Sequence, residues 1–279
     1  MKKIVLCLAI LLSFLQISYS QYSADWGKYM NESIPNADFS VEDEPEQLAV
    51  DVRNAATNDE YVYVTGRTNA RSDHESSCPQ NKFYYGAEDD FLAKYDKCCN
   101  LQWFRFLGTD NDNVNDECGD FGDCIAIDHD PVTDSSFIYI GGYSYSNYDP
   151  LSCSSCLPCG STNSAKASSC KGDTCVFQKS KRTAIDAFVA KYDENGNLVK
   201  WTYFGGDGDD NIIGISIFKH DVFITGTTSS NPDFIPAATP KFDSTLSTQS
   251  DAFVAQLDNE LCHVKFFSYM GGPEYERTH

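Results

Sequence analysis

The chain has 279 residues, a formal net charge of -20 and 12 cysteines. With Lys+Arg 21 against Asp+Glu 41 it lacks the clustered cations that nucleic-acid phosphates or anionic membrane surfaces demand, so nucleic acid is excluded as a partner. A content of 41% hydrophobic and 13% aromatic residues is too apolar for a disordered chain, and the length suffices to bury a core.

Lys2 and Lys3 precede an apolar run from Ile4 to Ile17, broken only by Ser13 and Gln16. Ser18-Tyr19-Ser20 then offers small residues where a signal peptidase needs them. The pattern predicts a signal peptide over residues 1–20, cleaved before Gln21, and hence a secreted or cell-surface protein. The competing reading is an N-terminal membrane anchor, for which the run is short. No other stretch is long and apolar enough to span, so no membrane insertion of the mature segment 21–279 is expected. Cleavage removes Cys7 and leaves an odd number of cysteines. Secreted cysteines pair, so one thiol stays free or finds its partner outside this sequence. Asn31-Glu32-Ser33 is a glycosylation sequon with Asn31 as the acceptor.

Strand-like pieces then recur along the chain. Trp26–Asn31 (WGKYMN) is followed by Leu48–Val52 and Tyr61–Gly66 (YVYVTG). Asp89–Asp96 (DDFLAKYD) and Leu101–Gly108 (LQWFRFLG) come next, then Cys124–Asp128 and Phe137–Gly142 (FIYIGG). The series returns as Asp186–Asp193 (DAFVAKYD), Leu198–Gly206 (LVKWTYFGG), Ile212–Phe218 and Val222–Gly226 (VFITG). It ends with Asp251–Asp258 (DAFVAQLD) and Val264–Gly272 (VKFFSYMGG). All the pieces are short and rich in Val, Ile, Phe and Tyr, without sustained helical periodicity.

In DAFVAKYD, Phe188, Ala190 and Tyr192 share one face and Ala187 and Val189 the other, so both faces are apolar. Sheets covered on both sides have that pattern. Four-stranded sheets repeated in tandem predict an all-β fold, a β-propeller built of four-stranded blades. About thirteen strand candidates make a little over three blades, fewer than a closed ring needs, so the ring is expected to be incomplete. The alternative is an open arc that pairs with a second chain, at the cost of exposed strand edges.

The longer first interval between copies places an insertion at Tyr143–Ile185, a Cys/Ser-rich loop. Its Cys153, Cys156 and Cys159 are spaced C-x-x-C-x-x-C, with Cys170 and Cys175 following. Zinc ribbons use two C-x-x-C pairs, and iron–sulfur ligation belongs to reducing compartments. A disulfide-stapled loop is therefore favoured, and a held loop shape suits partner binding. Cys118 and Cys124 flank Gly119–Asp123 and are expected to clip that segment as a turn. With a repeat frame begun at DAFVAKYD, Cys98-Cys99 falls in the turn between the first two strands of a unit. Each of the two is expected to pair elsewhere, one with Cys78, or with each other as a vicinal disulfide.

Two acidic segments invite calcium. Asp110, Asp112 and Asp116 lie in one, and Asp207, Asp209 and Asp210 in the other. Neither matches D-x-[DN]-x-[DN]-G, and turn building explains the same residue types. The histidines share no motif with a nucleophile, and neither G-x-S-x-G nor H-E-x-x-H occurs, so no catalytic residue and no cofactor is assigned.

DAFVAKYD, then LVKWTYFGG, then GDGDDN, then VFITGTTSS with Asp233-Phe234-Ile235-Pro236, resemble the bacterial-type β-propeller repeat known as SBBP. The match is strong over Asp186–Gly272 and looser over Leu48–Gly142. The resemblance implies an extracellular or surface β-propeller and no catalytic residues. The resulting expectation is a non-enzymatic protein that binds an extracellular protein or glycan through blade loops. Its alternatives are an extracellular hydrolase or lyase acting on polymers, and a structural matrix or wall component.

Overall fold

The computed structural model describes residues 43–53, 60–68, 89–98, 100–107, 120–145, 176–183, 185–247 and 250–271. These form three four-stranded antiparallel sheets, none closed on itself. The first holds β1 (Asp43–Val52), β2 (Glu60–Thr68), β3 (Asp89–Asp96) and β4 (Leu101–Leu107). The second holds β5 (Asp120–Asp130), β6 (Ser135–Ser144), β7 (Asp186–Asp193) and β8 (Leu198–Phe204). The third holds β9 (Asp210–Phe218), β10 (Asp221–Thr228), β11 (Asp251–Leu257) and β12 (Val264–Met270). Spatial order follows chain order in every sheet.

The pairing corrects the repeat frame. DAFVAKYD is the third strand of its sheet, so the turn carrying Cys98 joins the last two strands and not the first two. The glycine ending each YVTG-type piece fixes this frame. Gly66, Gly142 and Gly226 lie opposite Phe91, Phe188 and Phe253 on the third strand. On their other side the first strand bulges, with Glu46, Asp123 and Ile213 as the extra residues. At two of these glycines a Cβ would strike a carbonyl of the bulged strand, 1.7 Å from Phe121 O at Gly142 and 1.8 Å from Asn211 O at Gly226. Glycine is what allows the bulged first strand to pair there.

The rest of DAFVAKYD also acquires physical roles. The phenylalanine stacks on an aromatic of the fourth strand, as Phe91 on Phe104 (5.2 Å), Phe188 on Trp201 (4.2 Å) and Phe253 on Phe267 (6.0 Å). The structural counterpart of Trp201 is thus Phe267. The final aspartate ties the turn that follows. Asp96 accepts the amides of Cys98 (2.8 Å) and Asn100 (2.9 Å), and Asp193 those of Asn195 (2.9 Å) and Asn197 (2.8 Å). Asn195-Gly196 forms the expected hairpin, with Gly196 at φ +74.

The sheets stack in one direction, chiefly through β1, β5 and β9. Tyr63 and Leu92 of the first sheet meet Ile138, Ile140, Phe188 and Trp201 of the second. The opposite face of the second sheet, with Tyr139, Val189 and Phe204, meets Ile224, Phe253, Ala255 and Phe267 of the third. β7 is accordingly buried at every residue but its last, as the two apolar faces of DAFVAKYD require.

The repeat lysine latches one sheet to the next. Lys94 Nζ donates to Glu194 O (3.1 Å), and Lys191 Nζ donates to Asn259 O (2.8 Å). Each ammonium also lies over a ring of the second strand, Lys94 over Tyr61 (3.9 Å) and Lys191 over Phe137 (4.2 Å). The third sheet carries Gln256 here, which donates within its own sheet to Asp221 (2.8 Å).

Outer edges are padded by the segment that leads into the third strand. Tyr203 N donates to Gln178 O (3.0 Å) and Tyr269 N to Asp243 O (3.1 Å). The hydroxyls of Thr202 and Ser268 accept the amides of Gln178 (2.9 Å) and Asp243 (3.0 Å). The exposed ladders of β8 and β12 are thereby covered. Both ends of the predicted 143–185 insertion belong to this framework: Tyr143 and Ser144 end β6, and Phe177 packs on Phe204 at 5.6 Å.

Candidate functional site

Up-and-down pairing sends alternate connections to opposite ends of a sheet. The connections β1–β2, β5–β6, β9–β10, β3–β4, β7–β8 and β11–β12 gather at one end. The others leave from the opposite end: 69–88, 145–185 and 229–250 within sheets, 108–119 and 205–209 between them. The Cys/Ser-rich segment and both acidic segments therefore leave from the same end. Loops on a rigid scaffold are the usual place for binding.

The described part of this end is built from aspartates. Asp210 is buried, and its Oδ2 accepts Gly206 N (2.9 Å) and Ser230 Oγ (2.7 Å) while its Oδ1 accepts the Thr228 hydroxyl. Burial pushes its carboxyl up to about 7, against the pull of those hydrogen bonds. Asp207 is exposed and accepts Asn231 N (3.0 Å), which holds its carboxyl below the usual range. The Asp209 amide donates to Ser229 Oγ (2.7 Å). The side chains of Asp207 and Asp210 are thus occupied in shaping the turn. Asp186 anchors the return of the insertion, accepting Gln178 Nε2 (3.0 Å) and Arg182 N (2.8 Å).

A second acidic group lies where the first strands bulge. Glu46 pairs with Arg67 at 2.7 Å, and the Arg67 guanidinium sits over Phe121 at 5.3 Å. The carboxyl of Asp123 is pushed up to about 6 by burial and by the charge of Glu46, while a hydrogen bond from Asn211 and the charge of Arg67 pull it down. Asp90 is wholly buried. Its Oδ1 accepts Thr65 Oγ1 (3.1 Å), and its Oδ2 has no hydrogen-bond partner. Burial drives its carboxyl well above the ordinary range, and Asp123 adds to the rise. Sequence reasoning passed over Asp90 and Asp123. For Asp90 the signal was there in the repeat: it stands where the other copies carry Ala187 and Ala252.

At the opposite end Asp51, His129 and Ser136 come together without the wiring of a nucleophile triad. Ser136 is buried and donates to Asp51 Oδ2 (2.8 Å). His129 Nδ1 lies 3.0 Å from Ser136 Oγ, but the serine hydroxyl is directed at Asp51 itself, where a triad would place the histidine between serine and aspartate. Asp258, Cys262 and His263 place ligand atoms within 4.8 Å of one another. Asp258 is already engaged by Cys262 N (2.8 Å) and by His263 Nδ1 (2.6 Å) in closing the β11–β12 turn.

The expected Cys118–Cys124 clip is not made. Residues 120–123 are part of β5 and not a turn, and Cys124 is a free, buried thiol on the face toward the third sheet. It donates to Gly141 O (3.3 Å), and burial pushes its pKa up. Cys98 is free and exposed in its turn, which removes it from the pairings proposed for it. The predicted signal peptide, Asn31, Asp110, Asp112, Asp116, Cys118, Cys153, Cys156, Cys159, Cys170 and Cys175 lie outside the described residues. Among the described residues no helix is long and apolar enough to cross a membrane.

No family model matches the chain, and no curated protein matches it. The resemblance to SBBP-type repeats rests on the repeat residues themselves.

Proposed function

We propose that this chain is the blade-bearing part of a secreted or cell-surface β-propeller, non-enzymatic, that binds an extracellular protein or glycan through its long loops. The observation carrying this reading is the common direction of the three sheets, which gathers every long connection at one end. Their packing through β1, β5 and β9 is what blades around an axis require. The signal-like start of the sequence supports the compartment.

The framework roles of Tyr143, Phe177 and Gln178 define the deletion that tests it: residues 146–175 alone. The purified chain and the deletion are compared on immobilised glycans and extracellular-matrix proteins, with circular dichroism as the folding control. Binding by the full chain that disappears in a folded deletion supports the reading. Binding that survives the deletion, or polymer cleavage by the purified chain, overturns it.

A further inference from the structure

The repeat supplies its own control for Asp90. The other two sheets place Ala187 and Ala252 at this position, so the packing asks for a small apolar side chain. Asp90 instead puts a carboxyl at 0% exposure against the second sheet, and only Oδ1 is hydrogen-bonded. An unpaired polar atom so deeply buried destabilises the fold, and more so if charged. Its Oδ2 is aimed at the bulge of β5: a Cβ on Gly122, the residue before Asp123, would lie 2.3 Å from it. Asp123 is the extra residue of that bulge, an acid as Glu46 is in the first sheet, where the third sheet has Ile213. Asn211 of β9 hydrogen-bonds Asp123, and its own Oδ1 is buried without a partner. One oxygen donor thus comes from each sheet, on neighbouring inner strands or against them. Arg67, the nearby cation, is held by Glu46 at 2.7 Å.

We propose that Asp90, Asp123 and Asn211 form a binding site for a hard divalent cation, calcium, which joins the three sheets where their first strands bulge. Two carboxylates and an amide oxygen are ligands calcium accepts, with water and backbone oxygens completing its usual six to eight. A site with so few charged ligands binds in the range of about 0.1–1 mM. The proposal stands apart from loop binding, since none of these residues lies in the 146–175 segment.

Thermal unfolding of the whole chain in EDTA and in millimolar calcium tests it. Calcium at about ten times its dissociation constant should raise the Tm by about 2–4 °C. Asp90→Ala restores the residue of the other copies. It should be more stable than the parent in EDTA and should not respond to calcium. Asp123→Asn should also lose the response. A triple Asp110→Asn, Asp112→Asn, Asp116→Asn variant should keep it. Terbium luminescence gives a second readout, because Tyr143 stacks on Phe121 at 4.8 Å beside the site. A parent chain that ignores calcium overturns the proposal. So does a response that persists in Asp90→Ala, or one lost only in the triple variant.

Discussion

A methyl group at Gly226 would sit 1.8 Å from the Asn211 carbonyl, and one at Gly142 would sit 1.7 Å from the Phe121 carbonyl. Both obstacles are backbone, so no rotamer change relieves them, and the bulge itself must shift. Gly226→Ala or Gly142→Ala should therefore cost about 3 kcal/mol, at the upper end of ordinary overpacking. Urea unfolding reads this as a lower midpoint with unchanged slope. Gly214→Ala is the control, since its methyl meets only the Thr225 Cγ2 at 2.8 Å, a side chain that can rotate. Equal losses at Gly214 and Gly226 would refute the bulge as the reason for the repeat glycine. The two free thiols among the described residues separate in the same way. Cys98 is exposed and should react with a maleimide in the native state. Cys124 is buried with its thiolate disfavoured, and should react only as the chain unfolds. Mass spectrometry of labelled peptides checks both, and native labelling of Cys124 at the Cys98 rate would contradict its placement.

At the scale of elements, the third strand carries most of the repeat's information because it is packed from both sides. Its lysine shows how much depends on the neighbouring sheet. Lys191→Met should cost about 1–3 kcal/mol, the range for a hydrogen bond from a charged donor, because the Asn259 carbonyl loses it. Lys265→Met removes an exposed contact to Asp221 and should cost less than about 1 kcal/mol. Comparable midpoint shifts for the two would show that Lys191 is not a latch. The strands, their two apolar faces and the Asn195-Gly196 hairpin were legible in the sequence, because period-two burial and turn chemistry are local. The frame was not legible, since a strand reads the same whichever neighbour shares its ladder. The turn expected at Gly119–Asp123 failed for a related reason. Gly and Asp there build a bulge within β5, a role that depends on Gly142 of the next strand. The padding of β8 and β12 by Gln178 and Asp243 was equally invisible, because it joins distant residues through single backbone bonds. Asp90 already differed from Ala187 and Ala252 in the repeat, whereas Asp123 became informative only when the register placed it at the bulge that Glu46 and Ile213 occupy in the other sheets.

For the whole molecule, three carboxyls on the loop-bearing side that burial holds above the ordinary range give the fold a pH dependence of definite sign. Asp210 is pushed up to about 7 and Asp123 to about 6, while Asp90 is raised further by complete burial. A carboxyl whose folded pKa exceeds its unfolded value of about 3.9 binds more protons in the folded state between those two values. Stability then falls as pH rises through that window, the reverse of the usual salt-bridged aspartate. Asp207 and Asp258, held low by hydrogen bonds, act in the usual direction, and their contribution fades only in stronger acid. Between about pH 5 and about pH 8 the raised carboxyls dominate, with a loss on the order of 1–3 kcal/mol toward the alkaline end. In EDTA the urea midpoint should therefore be higher at about pH 5 than at about pH 8. Asp90→Ala and Asp210→Asn should each flatten the profile, because neither leaves a proton to lose at that position. A midpoint that rises with pH across this window would mean that these carboxyls are ionised and paired in the folded chain. Calcium bound at Asp90 and Asp123 would oppose the alkaline loss by pairing their ionised forms. The gap between the calcium and EDTA profiles should then widen as pH rises, and a constant gap would place the cation elsewhere.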